Sequence, residues 1–317
     1  MSKVISNFNR DWDKSFATYL DENKTLAYMM LKKAEEFADF DILTHKVKGE
    51  WVSITWRSFG EQIRAVAKAL LEMDILQPGE MAGIFSANRA EWAITDLGIL
   101  SIRAVSVPIY ATNSAEEAAH IINDAEIKII FVGDQEQYNR TKKIILDNSY
   151  LKKIIAFDRD IKITGDDSVY FDQLLAMGRT SKQDKNLQER LNTADPDDTL
   201  TLIYTSGTTG APKGAIHTNR SFLNGMYPTS QRFPGVGPHN VSLAILPLSH
   251  IFERMWSYGC MSVGIRIAYC PDPKQFLEVM GEIKPHYLCS VPRIWEKVYG
   301  TIHEGLKTAP PAKAKMF

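Results

Sequence analysis

The densest run of chemically useful side chains in the sequence is Thr205-Ser206-Gly207-Thr208-Thr209-Gly210-Ala211-Pro212-Lys213-Gly214. Gly207 and Gly210 can let backbone N–H groups come close to an anion, Thr205, Ser206, Thr208 and Thr209 offer hydroxyl donors, and Lys213 supplies a compact positive charge. Pro212 limits the chain's freedom just before the lysine. Each residue type suits a polyphosphate, and β-type runs stand on either side, Leu200 to Tyr204 and Ala215 to His217. On residue types alone, a solvent-exposed hairpin connection with a surface lysine accounts for the segment equally well.

Residue order excludes two familiar nucleotide signatures. Counting from Gly207, a Walker loop requires glycine where Pro212 stands, and Gly235-Val236-Gly237 lacks the third glycine of a dinucleotide fingerprint. His303-Glu304 meets Lys307 where a zinc-protease helix requires its second histidine. With 37 basic and 38 acidic side chains there is no broad field for nucleic acid or an anionic membrane, so recognition of a charged ligand has to be local. Cys260, Cys270 and Cys289 sit among apolar residues without Cys-x-x-Cys spacing, which points to buried reduced thiols and a cytosolic compartment. Neither a secretory-type N-terminal stretch nor a run of about 18 apolar residues is present, and peripheral membrane contact stays open.

A chain of 317 residues, 44% hydrophobic and 24% charged, can bury more than one core. Phe59, Ile63, Val66, Leu70 and Met73 recur at helical spacing and predict an amphipathic helix over 57–73, ended by a turn at Pro78-Gly79. Apolar runs at 81–85, 104–109, 127–132 and 153–157 read as strands separated by helix-length segments, the pattern of βαβ units with a largely parallel sheet. Ser114 with Glu117 forms a capping box that starts a helix. Residues 181–199 are polar and charged and read as a surface segment, so the boundary is set there: a first α/β lobe over 1–185 and a second over 186–317, carrying the phosphate segment and sending strands back to the first. Strands at 241–246, 266–269 and 287–291 and helices at 274–284 and 293–307 complete the expected fold class: α/β, two packed lobes with mostly parallel sheets and flanking helices.

Tyr204 to Gly214 reads Tyr-Thr-Ser-Gly-Thr-Thr-Gly-x-Pro-Lys-Gly, which resembles the signature of the adenylate-forming superfamily of acyl-CoA synthetases, luciferases and peptide-synthetase adenylation domains. Leu246-Pro-Leu-Ser-His-Ile-Phe-Glu-Arg254 is similar to the segment that follows this loop in long-chain fatty acid CoA ligases; without that context His250 reads as a cap or core histidine. Weaker likeness runs through Asn88 to Trp92, Val107 to Tyr110 and Ser290 to Lys297.

The resemblance implies an enzyme that joins a carboxylate to the α-phosphate of ATP, releases pyrophosphate, and passes the acyl group to the thiol of coenzyme A. It implies that Thr205, Ser206, Gly207, Thr208, Thr209, Gly210, Lys213 and Gly214 hold the β- and γ-phosphates, with the Thr205 hydroxyl reaching magnesium and Lys213 steadying the departing pyrophosphate. It sets His250 beside the reacting carboxylate and α-phosphate, and it makes Trp256, Tyr258 and Met261 candidates for an acyl tunnel, although apolar residues in such a run are more often core. ATP, magnesium, coenzyme A and a fatty acid are therefore the expected partners of a cytoplasmic protein, with no nucleic acid, and a homodimer stays open. The superfamily also uses an aromatic-Gly-x-Thr-Glu segment, a ribose-binding Thr-Gly-Asp, a hinge and a C-terminal catalytic lysine. Thr164-Gly165-Asp166 precedes the phosphate segment and Tyr299 to Glu304 has the wrong order, so both read as loop and helix residues. The expectation is thus the front portion of a ligase, its C-terminal domain absent, unable alone to complete acyl-CoA synthesis. An amino-acid or aryl-acid adenylation domain and a non-catalytic nucleotide- or acyl-binding module are the alternatives.

Overall fold

The computed structural model describes residues 2–205, 212–232, 235–270 and 272–308. The chain opens with helices α1 (Ser2–Asn23) and α2 (Leu26–Glu36) and a hairpin of β1 (Asp41–Val47) and β2 (Glu50–Thr55). There follow α3 (Trp56–Met73), β3 (Met81–Phe85), α4 (Ala90–Ser101), β4 (Val105–Ile109), α5 (Ala115–Asp124), β5 (Ile129–Val132), α6 (Gln135–Asp147) and β6 (Lys153–Ala156). Next come β7 (Ser168–Tyr170), α7 (Phe171–Thr180), α8 (Asp184–Asn192), β8 (Thr199–Thr205), β9 (Lys213–Thr218) and α9 (Asn219–Arg232). The last part contains β10 (Val241–Ala244), α10 (Ile251–Ser262), β11 (Arg266–Tyr269), α11 (Phe276–Ile283), β12 (Tyr287–Leu288) and α12 (Pro292–Thr308).

Local chemistry sets the elements that matter for the site. α3 starts where the Thr55 hydroxyl accepts from Ser58 N, buries Phe59, Ile63, Val66 and Leu70 on one face, and stops at Asp74 in the left-handed region. α5 starts on the Ser114/Glu117 capping box, whose two reciprocal bonds satisfy amides that the first turn leaves open. β3, β4 and β5 are almost wholly buried, as unbroken apolar runs in a parallel sheet covered on both faces should be.

Seven strands form one sheet in the order β7-β6-β5-β3-β4-β8-β9, parallel except for the edge pair β8/β9, which is antiparallel. Five form the other, β12-β10-β11-β1-β2, parallel except for β1/β2. The α/β class with mostly parallel sheets and flanking helices is therefore as expected. The largest core cluster runs from α2 and α3 through α4 to α10 and β11, so both sheets share it; a second lies under α5 and α6, and a third beneath α11.

Two segments differ from the sequence reading. The polar lead-in is two helices and a hairpin: Leu26, Met29 and Met30 bury one face of α2, and β1 inserts into the sheet built by β10 to β12. The polar stretch 181–199 contains α8, because Leu187 and Leu191 lie four apart and both bury, while the charged residues around them face outward.

Candidate functional site

β8 and β9 are an antiparallel pair that flanks the segment expected to bind phosphate. Thr205, the last residue of β8, pairs with Lys213, the first of β9, and Tyr204 pairs with Gly214. Ser206, Gly207, Thr208, Thr209 and Gly210 lie outside the described residues. Because β8 runs parallel to β4, its carboxyl end brings Thr205 beside the residues that leave β4, and carboxyl ends of parallel strands are where α/β sheets take ligands. A cavity of ≈ 350 Å³ opens there, with Tyr110, Asn113, Glu117, Thr205, Pro212 and His250 in its wall. The hairpin, through Thr205 and Pro212, and His250, selected on two separate segments of the sequence, thus meet at one place. Lys213 is exposed at the start of β9.

His250 is the N-cap of α10. Its Nδ1 accepts from Phe252 N at 3.2 Å, so the neutral ring carries its proton on Nε2 and can donate from that edge. The segment before it is held from both sides. Asn88, just past β3, donates to Leu246 O at 2.7 Å and accepts from Leu248 N at 2.8 Å. Glu253 accepts from Leu246 N at 3.1 Å and from Ser257 Oγ at 3.1 Å. Glu253 is fully buried, and burial pushes its carboxyl up to about 8.

One turn further along α10, Arg254 is buried against Asp96 of α4 by bonds of 3.0 and 2.6 Å, and both side chains are 0% exposed. Its third bond, 2.7 Å to Thr201 Oγ1, reaches β8, whose hydroxyl in turn donates to Ser106 O on β4. Tyr258 donates to Asp96 at 2.6 Å, and Trp92 and Phe222 lie over the guanidinium. Thr201 lies four residues before Thr205 and Arg254 four after His250, so this network fixes the distance between the two site residues.

Of the tunnel candidates, Tyr258 and Met261 belong to the shared core, and Trp256 packs against its edge with its indole donating to Ser242 Oγ. None of the three lines the cavity beside Thr205. Asn113 and the capping residue Glu117 join the cavity wall, and Asn88 supports the segment before His250, without a motif that marks any of them for those places. The available signal was position, since Tyr110 to Asn113 directly follow β4 and Asn88 follows β3. Two larger cavities are less convergent. One of ≈ 780 Å³ lies beyond β3, β5 and β6, where Arg89 is already paired with Asp158 and Glu91. The other, of ≈ 610 Å³, lies at the amino ends of the strands beside Arg103 and Arg190.

The two sheets and their flanking helices define an α/β protein whose hairpin and His250 stand at the strand ends where such sheets take ligands. The family model of the AMP-binding enzymes matches residues 31–316, and the chain belongs to that family. It is 31% identical over 297 residues to the long-chain-fatty-acid–CoA ligase FadD15 of Mycobacterium bovis, covering 93% of this chain and 48% of that ligase. Mouse long-chain-fatty-acid–CoA ligase ACSBG2 is 28% identical over 301 residues, covering 92% and 45%. The chain thus spans about half the length of the curated relatives it matches. Among solved structures, the A domain of carboxylic acid reductase from Segniliparus rugosus, in complex with AMP and a co-purified carboxylic acid, aligns with TM-score 0.78 at 19% identity, over 95% of this chain and 55% of that one. The adenylation domain of the carboxylate reductase from Mycobacterium chelonae aligns with TM-score 0.76 at 21% identity, over 91% and 49%. These structures share the fold.

Proposed function

We propose that this chain supplies the ATP- and acid-binding part of an enzyme that activates a long-chain fatty acid. The acid's carboxylate attacks the α-phosphate of ATP, pyrophosphate leaves, and the acyl group of the adenylate then passes to the thiol of coenzyme A, releasing AMP. The observation that carries this reading is the cavity in which both feet of the phosphate hairpin and His250 share one wall. The relatives named as long-chain-fatty-acid–CoA ligases support the acid class.

In this reading the hydroxyls and amides of Thr205 to Gly214 take the β- and γ-phosphates and Lys213 steadies the pyrophosphate, while Nε2–H of His250 donates to the carboxylate or an α-phosphate oxygen. Thr205, exposed at the cavity rim, offers the oxygen a hard cation prefers, and no group of three acidic, histidine or cysteine side chains among the described residues would hold a metal unaided. Magnesium carried with the nucleotide, contacting Thr205, fits that donor set and would neutralise phosphate charge. The reading places the protein in the cytoplasm, taking its acid from a membrane surface; no helix among the described residues is long and apolar enough to cross one.

The test is ATP–pyrophosphate exchange by a form extended to the length of its relatives, with palmitate, octanoate, benzoate and the amino acids supplied in turn. Exchange that depends on palmitate is expected. Exchange driven only by amino or aryl acids would replace this reading with an adenylation domain for those acids.

A further inference from the structure

Both feet of the phosphate hairpin are tied to the same helix. On β8, Tyr204, the residue before Thr205, sends its hydroxyl to Asp124 Oδ2 at 2.6 Å. On the return side, Pro212 O lies 2.8 Å from Nε2 of His120. A carbonyl only accepts, so His120 is the donor. His120 and Asp124 are four apart in α5, hence stacked on one helix face, and the two bonds leave that face for the two ends of one loop.

Three further observations show that the arrangement is built. The imidazole of His120 stands edge-on to the Tyr204 ring, centroids 6.4 Å apart with planes at 90°, so the two anchors also pack on each other. Gly214, the β-partner of Tyr204, leaves the space that the ring fills: a Cβ there would lie 3.1 Å from Tyr204 Cζ. Burial, then the Asp124 carboxylate, pushes the Tyr204 phenol well above its usual range, which keeps it the donor. The glycine at position 214 therefore serves the tyrosine and not only a phosphate. α5 itself is fixed at its start by the capping box and along its length by Ala118, Ile121 and Ile122, which are buried in the second core cluster.

We propose that His120 and Asp124 form a two-point clamp on the hairpin, making α5 the element that positions its two sides, at Tyr204 and Pro212, for a ligand. The clamp stands on geometry; its service to a nucleotide rests on the function proposed above. His120 and Asp124 are positioning residues that act through Pro212 and Tyr204 without touching the phosphates. Holding Tyr204 and Pro212 in place before a ligand arrives reduces the conformational entropy that ordering them on binding would cost.

The test compares His120→Leu, His120→Gln and Tyr204→Phe with the unaltered chain. Gln can place an amide N–H near the position of Nε2, so it is the rescuing variant. Hydrogen–deuterium exchange of a peptide spanning 202–216 reads the clamp, calorimetric titration with magnesium-ATP and with inorganic pyrophosphate reads its service to a ligand, and melting temperature reports global stability. Loss of one such bond is expected to speed exchange in that peptide and weaken ATP roughly fivefold to tenfold in His120→Leu and Tyr204→Phe. His120→Gln should restore both, and exchange in β3 and β5 should not change. Unaltered exchange of 202–216 in both His120→Leu and Tyr204→Phe overturns the clamp. Faster exchange in those variants, with an unaltered chain that binds neither ATP nor pyrophosphate, keeps the clamp and overturns its assignment to a nucleotide.

Discussion

Glu253 and Arg254 are neighbours on α10 and both are fully buried, but they face different surroundings. The face of the helix that carries Arg254 meets an opposite charge: Asp96 takes two of its N–H groups, Thr201 a third, and Tyr258 closes the shell. The face that carries Glu253 meets dipoles, the Leu246 amide and the Ser257 hydroxyl. The first arrangement is a buried pair that ties α10 to α4 and β8. At the second, burial raises the carboxyl's proton affinity by more than its hydrogen bonds lower it. One helix thus holds His250 through a buried ion-pair lock on one side and a pH-dependent brace on the other.

The largest effect should come from breaking the lock. Arg254→Met leaves Asp96 buried without its cation and should cost about 3–5 kcal/mol in chemical denaturation. Adding Asp96→Leu should recover much of that loss, because the uncompensated charge goes with it. A double variant as unstable as the single would mean that the network contributes through shape rather than charge.

The brace is read by pH. The folded-state value of Glu253, about 8, lies above its ordinary 4.5, so the native state binds the proton more tightly than the unfolded chain. That contribution is fully present below about 4.5, is lost as pH rises towards 8, and is constant above. Glu253→Gln should remove a slope of at most about 1.4 kcal/mol per pH unit from wild-type stability in that window. Melting curves from pH 5 to 9 for both proteins decide it, and parallel pH profiles would refute the assignment.

Asn88 is the neutral counterpart of Glu253 on the same segment. Asn88→Ala should cost about 1–3 kcal/mol, with little pH dependence, since it leaves Leu246 O and Leu248 N without their side-chain partner. The smallest effect belongs to an exposed pair of the same geometry as the lock. Arg220 reaches Asp197 through bonds of 2.7 and 2.9 Å, but water surrounds both, and Arg220→Ala should cost less than about 1 kcal/mol, diminishing with salt. A loss comparable to that of Arg254→Met would show that burial is not what separates the two regions.

Legibility in the sequence followed periodicity and local chemistry. The amphipathic pattern of 57–73, the apolar runs of β3 and β6 and the Ser114 capping box depend on near neighbours, and each is found within a residue or two of its expected place. The hairpin and His250 stand out as candidates because their residue order is distinctive. The lock does not, because nothing near Arg254 distinguishes a buried arginine from a surface one; its partner Asp96 lies far away in the chain on a helix whose other residues bury as well. The clamp was hidden for the same reason, since His120 and Asp124 sit in an ordinary helix pattern and their partners come from another strand pair.

The pairing of β1 with β11 sets an order of events during synthesis. Leu43 cannot find Ile267 until the ribosome has added roughly 200 more residues, at some 5–20 residues per second. The seven-stranded sheet, whose strands all lie before position 219, can assemble in that interval. Meanwhile the N-terminal hairpin waits with an open edge that invites chaperones or mispairing. Slowing translation should therefore lower the yield of folded chain, read as the soluble fraction, by lengthening the time that edge stays open.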